Sequence, residues 1–314
     1  MNSLIAFIKL VRWVNLLFIA ITQVLFYYLV LPFVYRGNGF GGQPYLSTSL
    51  FYLLVFASIC IAAAGYIIND YFDLDIDEVN KPDKLIIEKY IKRRWAIVLH
   101  VLLSLAGFII SCYIGWRLRN IYIPLFNTLS IATLWFYSTT FKKKILIGNV
   151  LISLLTAWVI LIITVAEYHF IGGRSNYSFI SSRLLKVSFV YGGFAFIISL
   201  VREVIKDMED IDGDVRYNGK TMPIVWGIPA SKVYAGVWLV VLIADIGIIQ
   251  FYVMHLGWWF SAFYSLILIV LPLAYIIRKL YEAQTKRDFH YLSKLVKLVM
   301  LTGILSMIFF RIYN

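Results

Sequence analysis

Hydrophobic positions in this chain fall into long runs, separated by short polar stretches. About nine runs reach the ~20 apolar residues a helix needs to cross the hydrocarbon core. They lie near 13–33, 49–69, 95–115, 121–140, 146–167, 185–205, 232–254, 258–277 and 293–312. A spanning segment must satisfy its backbone polar groups internally, so the pattern predicts helices rather than open strands. The expectation is an all-α membrane protein, a bundle of about nine transmembrane helices, forming a single domain over residues 1–314. The connectors 34–48 and 168–184, rich in Gly, Asn and Ser, read as exterior loops.

Composition agrees: 61% of the 314 residues are hydrophobic, where a soluble domain is nearer half. The apolar stretch after Arg12 is span-length and no small-residue cleavage site follows, which argues against a cleavable leader. The two cysteines, Cys60 and Cys112, each lie inside an apolar run, too few for a disulfide framework or a thiolate metal site. The net charge of +12 does not signal nucleic acid, because the basic residues gather in loops between spans. With the N-terminus inside, only Arg36, Arg117, Arg119, Arg174, Arg183, Lys186 and Arg311 face outward, leaving 22 of the 29 Lys and Arg on the cytoplasmic side. That asymmetry predicts a multi-pass protein of the cell membrane with its N-terminus and acidic loops in the cytoplasm.

Two acidic stretches interrupt this picture. Asn69-Asp70-Tyr71-Phe72-Asp73-Leu74-Asp75-Ile76-Asp77 follows one apolar run directly. Asp207, Asp210 and Asp214 follow another, with the same i, i+3, i+7 spacing as Asp70, Asp73 and Asp77. If each helix continued, the acids would share a face and repel one another, so something cationic should compensate. Hard carboxylate oxygens suit Mg2+, which keeps other positions for water and substrate phosphate. Basic residues stand nearby: Lys81 after the first motif, Arg202, Lys206 and Lys220 around the second, and Lys142-Lys143 after Tyr137-Ser138. Carboxylates with Lys and Arg make a site for a metal-bridged polyphosphate. Lys89, Arg93 and Lys144 read as ordinary loop charge. Arg12 and Asn15 sit one turn apart at the start of the first span. The four scattered histidines carry no metal-ligand spacing. Glu167, at a span end, reads as solvated, and Asp245, inside a run, has no obvious partner.

These motifs resemble those of the UbiA superfamily of intramembrane prenyltransferases. The resemblance rests on Asn69-Asp70-x-x-Asp73-x-x-x-Asp77 and Asp207-x-x-Asp210-x-x-x-Asp214, and extends to Arg12-x-x-Asn15, Asn80-Lys81-Pro82, Tyr137-Ser138, Lys142-Lys143 and Gly148-Asn149. It implies a cavity capped by the acidic loops and an enzyme that uses Mg2+ to transfer a prenyl group from an allylic prenyl diphosphate. By position it implies Asn69, Asp70, Asp73 and Asp77 on one metal and Asp207, Asp210 and Asp214 on the other. Asp73, Asp207 and Tyr137 become candidate catalytic residues. Arg12, Asn15, Lys81, Lys142, Lys143, Arg202, Lys206 and Lys220 become candidate substrate contacts. Lys220-Thr221-Met222-Pro223-Ile224 looks most like members that make archaeal-type ether lipids on a glycerol phosphate acceptor, with an aromatic acceptor of quinone synthesis as the alternative. Tyr217-Asn218-Gly219 departs from the pattern and does not discriminate between acceptors. A transporter built on intramembrane acids is the reading from another class; the acids' position at helix ends, not mid-span, speaks against it.

Overall fold

The computed structural model describes residues 3–36, 44–80, 82, 85–167 and 175–313. We number its helices α1 (Ser3–Leu10), α2 (Trp13–Arg36), α3 (Thr48–Phe72), α4 (Leu74–Asn80), α5 (Arg93–Leu118), α6 (Tyr122–Thr139), α7 (Ile147–Glu167), α8 (Ser175–Glu209), α9 (Ile211–Arg216), α10 (Met222–Val225), α11 (Gly227–His255), α12 (Trp259–Glu282) and α13 (Lys286–Ile312). Among the described residues, eight helices are long and apolar enough to span a membrane. The expected ninth, 121–140, is the 18-residue α6. Pro124, Asn127, Thr128 and Ser130 make it more polar than its neighbours, and Asn127 and Ser130 are buried within the protein. Asn127 Nδ2 donates to Ser111 Oγ on α5 at 2.8 Å. The chain is a multi-pass integral membrane protein.

The chain divides into two compact units. The first comprises residues 1–24, 34–142 and 159–188. In it α3 packs along α5 and α6. Small residues allow the close approach: a Cβ on Gly107 of α5 would fall 2.7 Å from Ile61 of α3. At one end Leu10, Val11, Ala63, Ile67, Ile87 and Ala96 close a small core. The second unit comprises residues 25–33, 143–158 and 189–314. Its core is drawn from α8, α11, α12 and α13, with Val201, Ile205, Leu239, Leu273, Phe289 and Val296 buried together. A capping box at Thr285 and Asp288 opens α13.

Two π-turns occupy matching sequence positions, Phe26–Val30 in α2 and Leu266–Val270 in α12. Each runs into Val-Leu-Pro-x-x-Tyr, at 30–35 and 270–275. A proline ring clashes with the carbonyl four residues earlier and offers no N–H. The helix widens to accommodate it: Leu31 N–H reaches back to Phe26 O, and Leu271 N–H to Leu266 O.

Candidate active site

Both acidic motifs are built the same way. Helix α3 ends at Phe72, Asp73 takes φ −94°, ψ 1°, and α4 starts at Leu74. Helix α8 ends at Glu209, Asp210 takes φ −99°, ψ 8°, and α9 starts at Ile211. The middle aspartate of each triplet thus sits in the sparsely populated bridge region. The hydrogen bonds around it survive: Asp73 N–H to Asn69 O at 3.0 Å and Asp77 N–H to Asp73 O at 2.7 Å, with Asp210 N–H to Lys206 O and Asp214 N–H to Asp210 O as counterparts. Were the helices unbroken, Asn69, Asp70, Asp73 and Asp77 would share one face, as would Asp207, Asp210 and Asp214. Instead one residue bends each chain. Asp competes with the backbone for hydrogen bonds and tolerates such breaks.

In the first unit the acids meet cations. Arg12 Nη2 lies 2.6 Å from Asp70 Oδ1. Arg12 itself occupies the left-handed region, φ 52°, at the corner between α1 and α2, and its guanidinium stacks 5.1 Å from the Tyr66 ring. Asp70 pushes its pKa up, against a partial loss of solvent that would lower it. Asp73, only 3% exposed, is hydrogen-bonded by Asn69 Nδ2 at 2.7 Å and ion-paired with Lys142. Burial alone would lower the Lys142 pKa, but Asp73, Tyr137 and Asp77 together raise it above the usual lysine range. Tyr137 therefore lies within electrostatic reach of Lys142, at the end of α6. Asn15 N–H donates to Arg12 O at 2.7 Å. Lys81 lies outside the described residues.

In the second unit Asp207 accepts from Asn149 Nδ2 at 2.8 Å. Arg202 pairs with Glu203 at 2.9 Å, and Lys206 reaches the same carboxylate at 3.6 Å. Asp214 is buried, and its carbonyl accepts from Gly219 N–H at 2.7 Å. Lys220 N–H donates to Lys143 O at 2.9 Å. Beside the motif, Glu209 is buried and bonded by His290 Nδ1 at 2.8 Å. Sequence reasoning missed Glu203 and the Asn149–Asp207 bond. The Gly148-Asn149 pair, one turn beyond the lysine cluster that ends at Lys144, was the available signal for the bond.

Mg2+, which the motifs imply, fits this donor set. All candidate ligands are hard oxygens, and Asn69 Oδ1 is an enclosed acceptor with no hydrogen-bond partner. Among the described residues no three Asp, Glu, His or Cys side chains converge as metal ligands. The reason in the first unit is visible: Asp70 and Asp73 are turned onto Arg12 and Lys142. Arg202 Nε is a buried donor without a partner, suited to an anion's oxygen.

One expectation is overturned. Glu167 is not solvated: it is 7% exposed and takes hydrogen bonds from the Tyr35 hydroxyl and from the Tyr45 and Leu46 N–H groups, both at 2.9 Å. Its place at the end of an apolar run suggested water, but Tyr45 and Leu46, just ahead of α3, close over it. Asp245, on α11, is exposed at the protein surface.

Comparison with known proteins places these features in context. The model of the UbiA prenyltransferase family matches residues 30–301. Digeranylgeranylglyceryl phosphate synthase of Methanosphaera stadtmanae is 27% identical over 260 residues, covering 81% of this chain and 86% of that protein. Relatives of the same name from Sulfurisphaera tokodaii and Thermococcus kodakarensis match over 60% of their own length. A solved digeranylgeranylglyceryl phosphate synthase superposes with a TM-score of 0.61 at 24% identity, over 98% of this chain and 99% of that one. A UbiA homologue from Archaeoglobus fulgidus, solved with DMAPP and Mg2+, gives 0.51 at 14% identity, over 96% and 98%.

Proposed function

The chain belongs to the UbiA prenyltransferase family, and from that membership we propose that it transfers geranylgeranyl from an allylic prenyl diphosphate to the hydroxyl of a lipid acceptor such as geranylgeranylglycerol phosphate. One observation carries the reading: the same bent Asp-x-x-Asp-x-x-x-Asp arrangement occurs twice, each copy set among cations or amide donors. The names of the curated relatives support a lipid acceptor. The A. fulgidus homologue solved with DMAPP and Mg2+ supports the donor class and the ion.

In this reading Asn69, Asp70, Asp73 and Asp77 hold one ion, and Asp207, Asp210 and Asp214 the other. Bound Mg2+ neutralises the diphosphate and improves it as a leaving group. Arg12, Lys81, Lys142, Arg202 and Lys206 take the remaining oxygens by charge-assisted hydrogen bonds. Lys142 and Arg12 have to leave Asp73 and Asp70 to do so. The allylic C–O bond breaks with its electron pair on the diphosphate. The acceptor hydroxyl oxygen then bonds the allylic carbon and loses its proton to the released diphosphate. Tyr137 and Asn15 flank that carbon, where an aromatic face stabilises positive charge. The apolar helices keep water from the cation. Residues 1–314 act as one catalytic domain in the cell membrane, with the acidic loops on the cytoplasmic side.

The test presents purified protein with labelled geranylgeranyl diphosphate and a panel of lipid and aromatic acceptors. An ether-linked lipid of the expected mass supports the reading, whereas a prenylated aromatic ring as the sole product replaces it.

A further inference from the structure

We propose that Lys143 and Lys220 form a phosphomonoester subsite that holds the headgroup of the lipid acceptor, separate from the cations serving the diphosphate. The inference rests on the lipid-acceptor reading and specifies where that acceptor's phosphate sits.

The first argument is the backbone. Lys220 N–H is bonded to Lys143 O, so two lysines far apart in sequence are joined through their backbones, at the end of the Phe141–Lys143 turn and in the connection before α10. The tie is built rather than incidental. Asn218 adopts φ 55°, the left-handed region that Asn tolerates better than most residues. Gly219 then passes so close to Asp214 that a Cβ there would lie 2.9 Å from the Asp214 carbonyl oxygen. The chain folds back on the end of the second motif and delivers Lys220 to Lys143. This gives Tyr217-Asn218-Gly219 a physical purpose.

The second argument is charge. Arg12 is matched to Asp70, Lys142 to Asp73, and Arg202 and Lys206 to Glu203. Neither Lys143 nor Lys220 is held by a carboxylate among the described residues, and both are exposed. Among the candidate substrate contacts, Arg12, Lys142, Arg202 and Lys206 are thus matched to acids, whereas Lys143 and Lys220 have no carboxylate against them among the described residues. A phosphomonoester carries about −1.5 to −2 at neutral pH, which complements that pair. A single aromatic carboxylate would leave one charge unmet. Lys143 ends a short 3-10 turn (Phe141–Lys143) and Lys220 lies between α9 and α10, both outside the spanning helices, where a lipid's polar headgroup and not its chain is the accessible part.

The probe is a single-chain glycerol phosphate lipid, 1-oleoylglycerol 3-phosphate, bound to the full-length protein in detergent without Mg2+, with 1-oleoylglycerol as the uncharged control. Lys143→Met with Lys220→Met should weaken phosphorylated-lipid binding at least tenfold. Lys143→Arg with Lys220→Arg should hold it within threefold. Binding of a non-reactive thiolo analogue of geranylgeranyl diphosphate in Mg2+ should move less than threefold in either pair. Unchanged lipid binding in the methionine pair would overturn the subsite. Equal weakening of both ligands would also overturn it, by returning the lysines to the diphosphate. Wild-type protein that binds the phospholipid but prenylates no phosphorylated acceptor would uphold the subsite and sink the acceptor assignment instead.

Discussion

A carboxylate in a membrane protein is stable where donors or cations surround it, and Asp73, Asp207 and Glu167 meet that condition differently. Asp73 faces Lys142 and Asn69, Asp207 faces Asn149, and Glu167 takes three neutral donors. Asp73→Ala and Asp207→Ala should each abolish turnover while the protein still inserts and purifies as a folded species; measured product formation in either variant would contradict their role. Asn149 holds Asp207 as an outer partner holds a metal ligand, so Asn149→Ala should raise the Mg2+ concentration for half-maximal rate by ~10–100-fold. Glu167→Ala leaves a tyrosine hydroxyl and two backbone N–H groups unsatisfied and should cost about 3 kcal/mol. A thermal melt in detergent should show a clearly lower midpoint, with the Mg2+ response of the remaining activity unchanged. Acid identities were legible in the sequence; their partners were not. The bond from Asn149 to Asp207 joins residues 58 positions apart. Glu167 looked solvated because nothing in its own run reveals the segment at Tyr45 and Leu46 that covers it.

At the scale of elements, the two motifs are helix–bend–helix units rather than continuous helices. Periodicity made the shared spacing plain. It gave no sign of the bends, because Asp-x-x-Asp suits an unbroken helix as well as a broken one. The π-turns were similarly hidden, although Pro32 and Pro272 mark where each helix must adjust. The return after the second motif depends on Gly219, whose approach to the Asp214 backbone leaves no room for a side chain. Gly219→Ala must therefore shift backbone beside a candidate metal ligand. It should lower turnover at least tenfold with little change in melting temperature; wild-type turnover in that variant would show that the close approach is dispensable.

For the molecule as a whole, the spans were the most legible feature. Among the described residues eight helices meet the length and hydropathy of a membrane crossing, and α6 accounts for the ninth expected segment. Its buried Asn127 and Ser130 explain the weaker signal. Two compact units each carry one acidic motif. Activity should vanish in EDTA and return with Mg2+; full activity after thorough chelation would remove the metal from the account. The most direct measurement is the number of Mg2+ ions bound per molecule of the thiolo analogue, by calorimetric titration of wild-type, Asp73→Ala and Asp207→Ala proteins. The account predicts two ions per analogue in the wild type and fewer in each variant. Analogue binding that needs no Mg2+, or two ions retained in both variants, would contradict it.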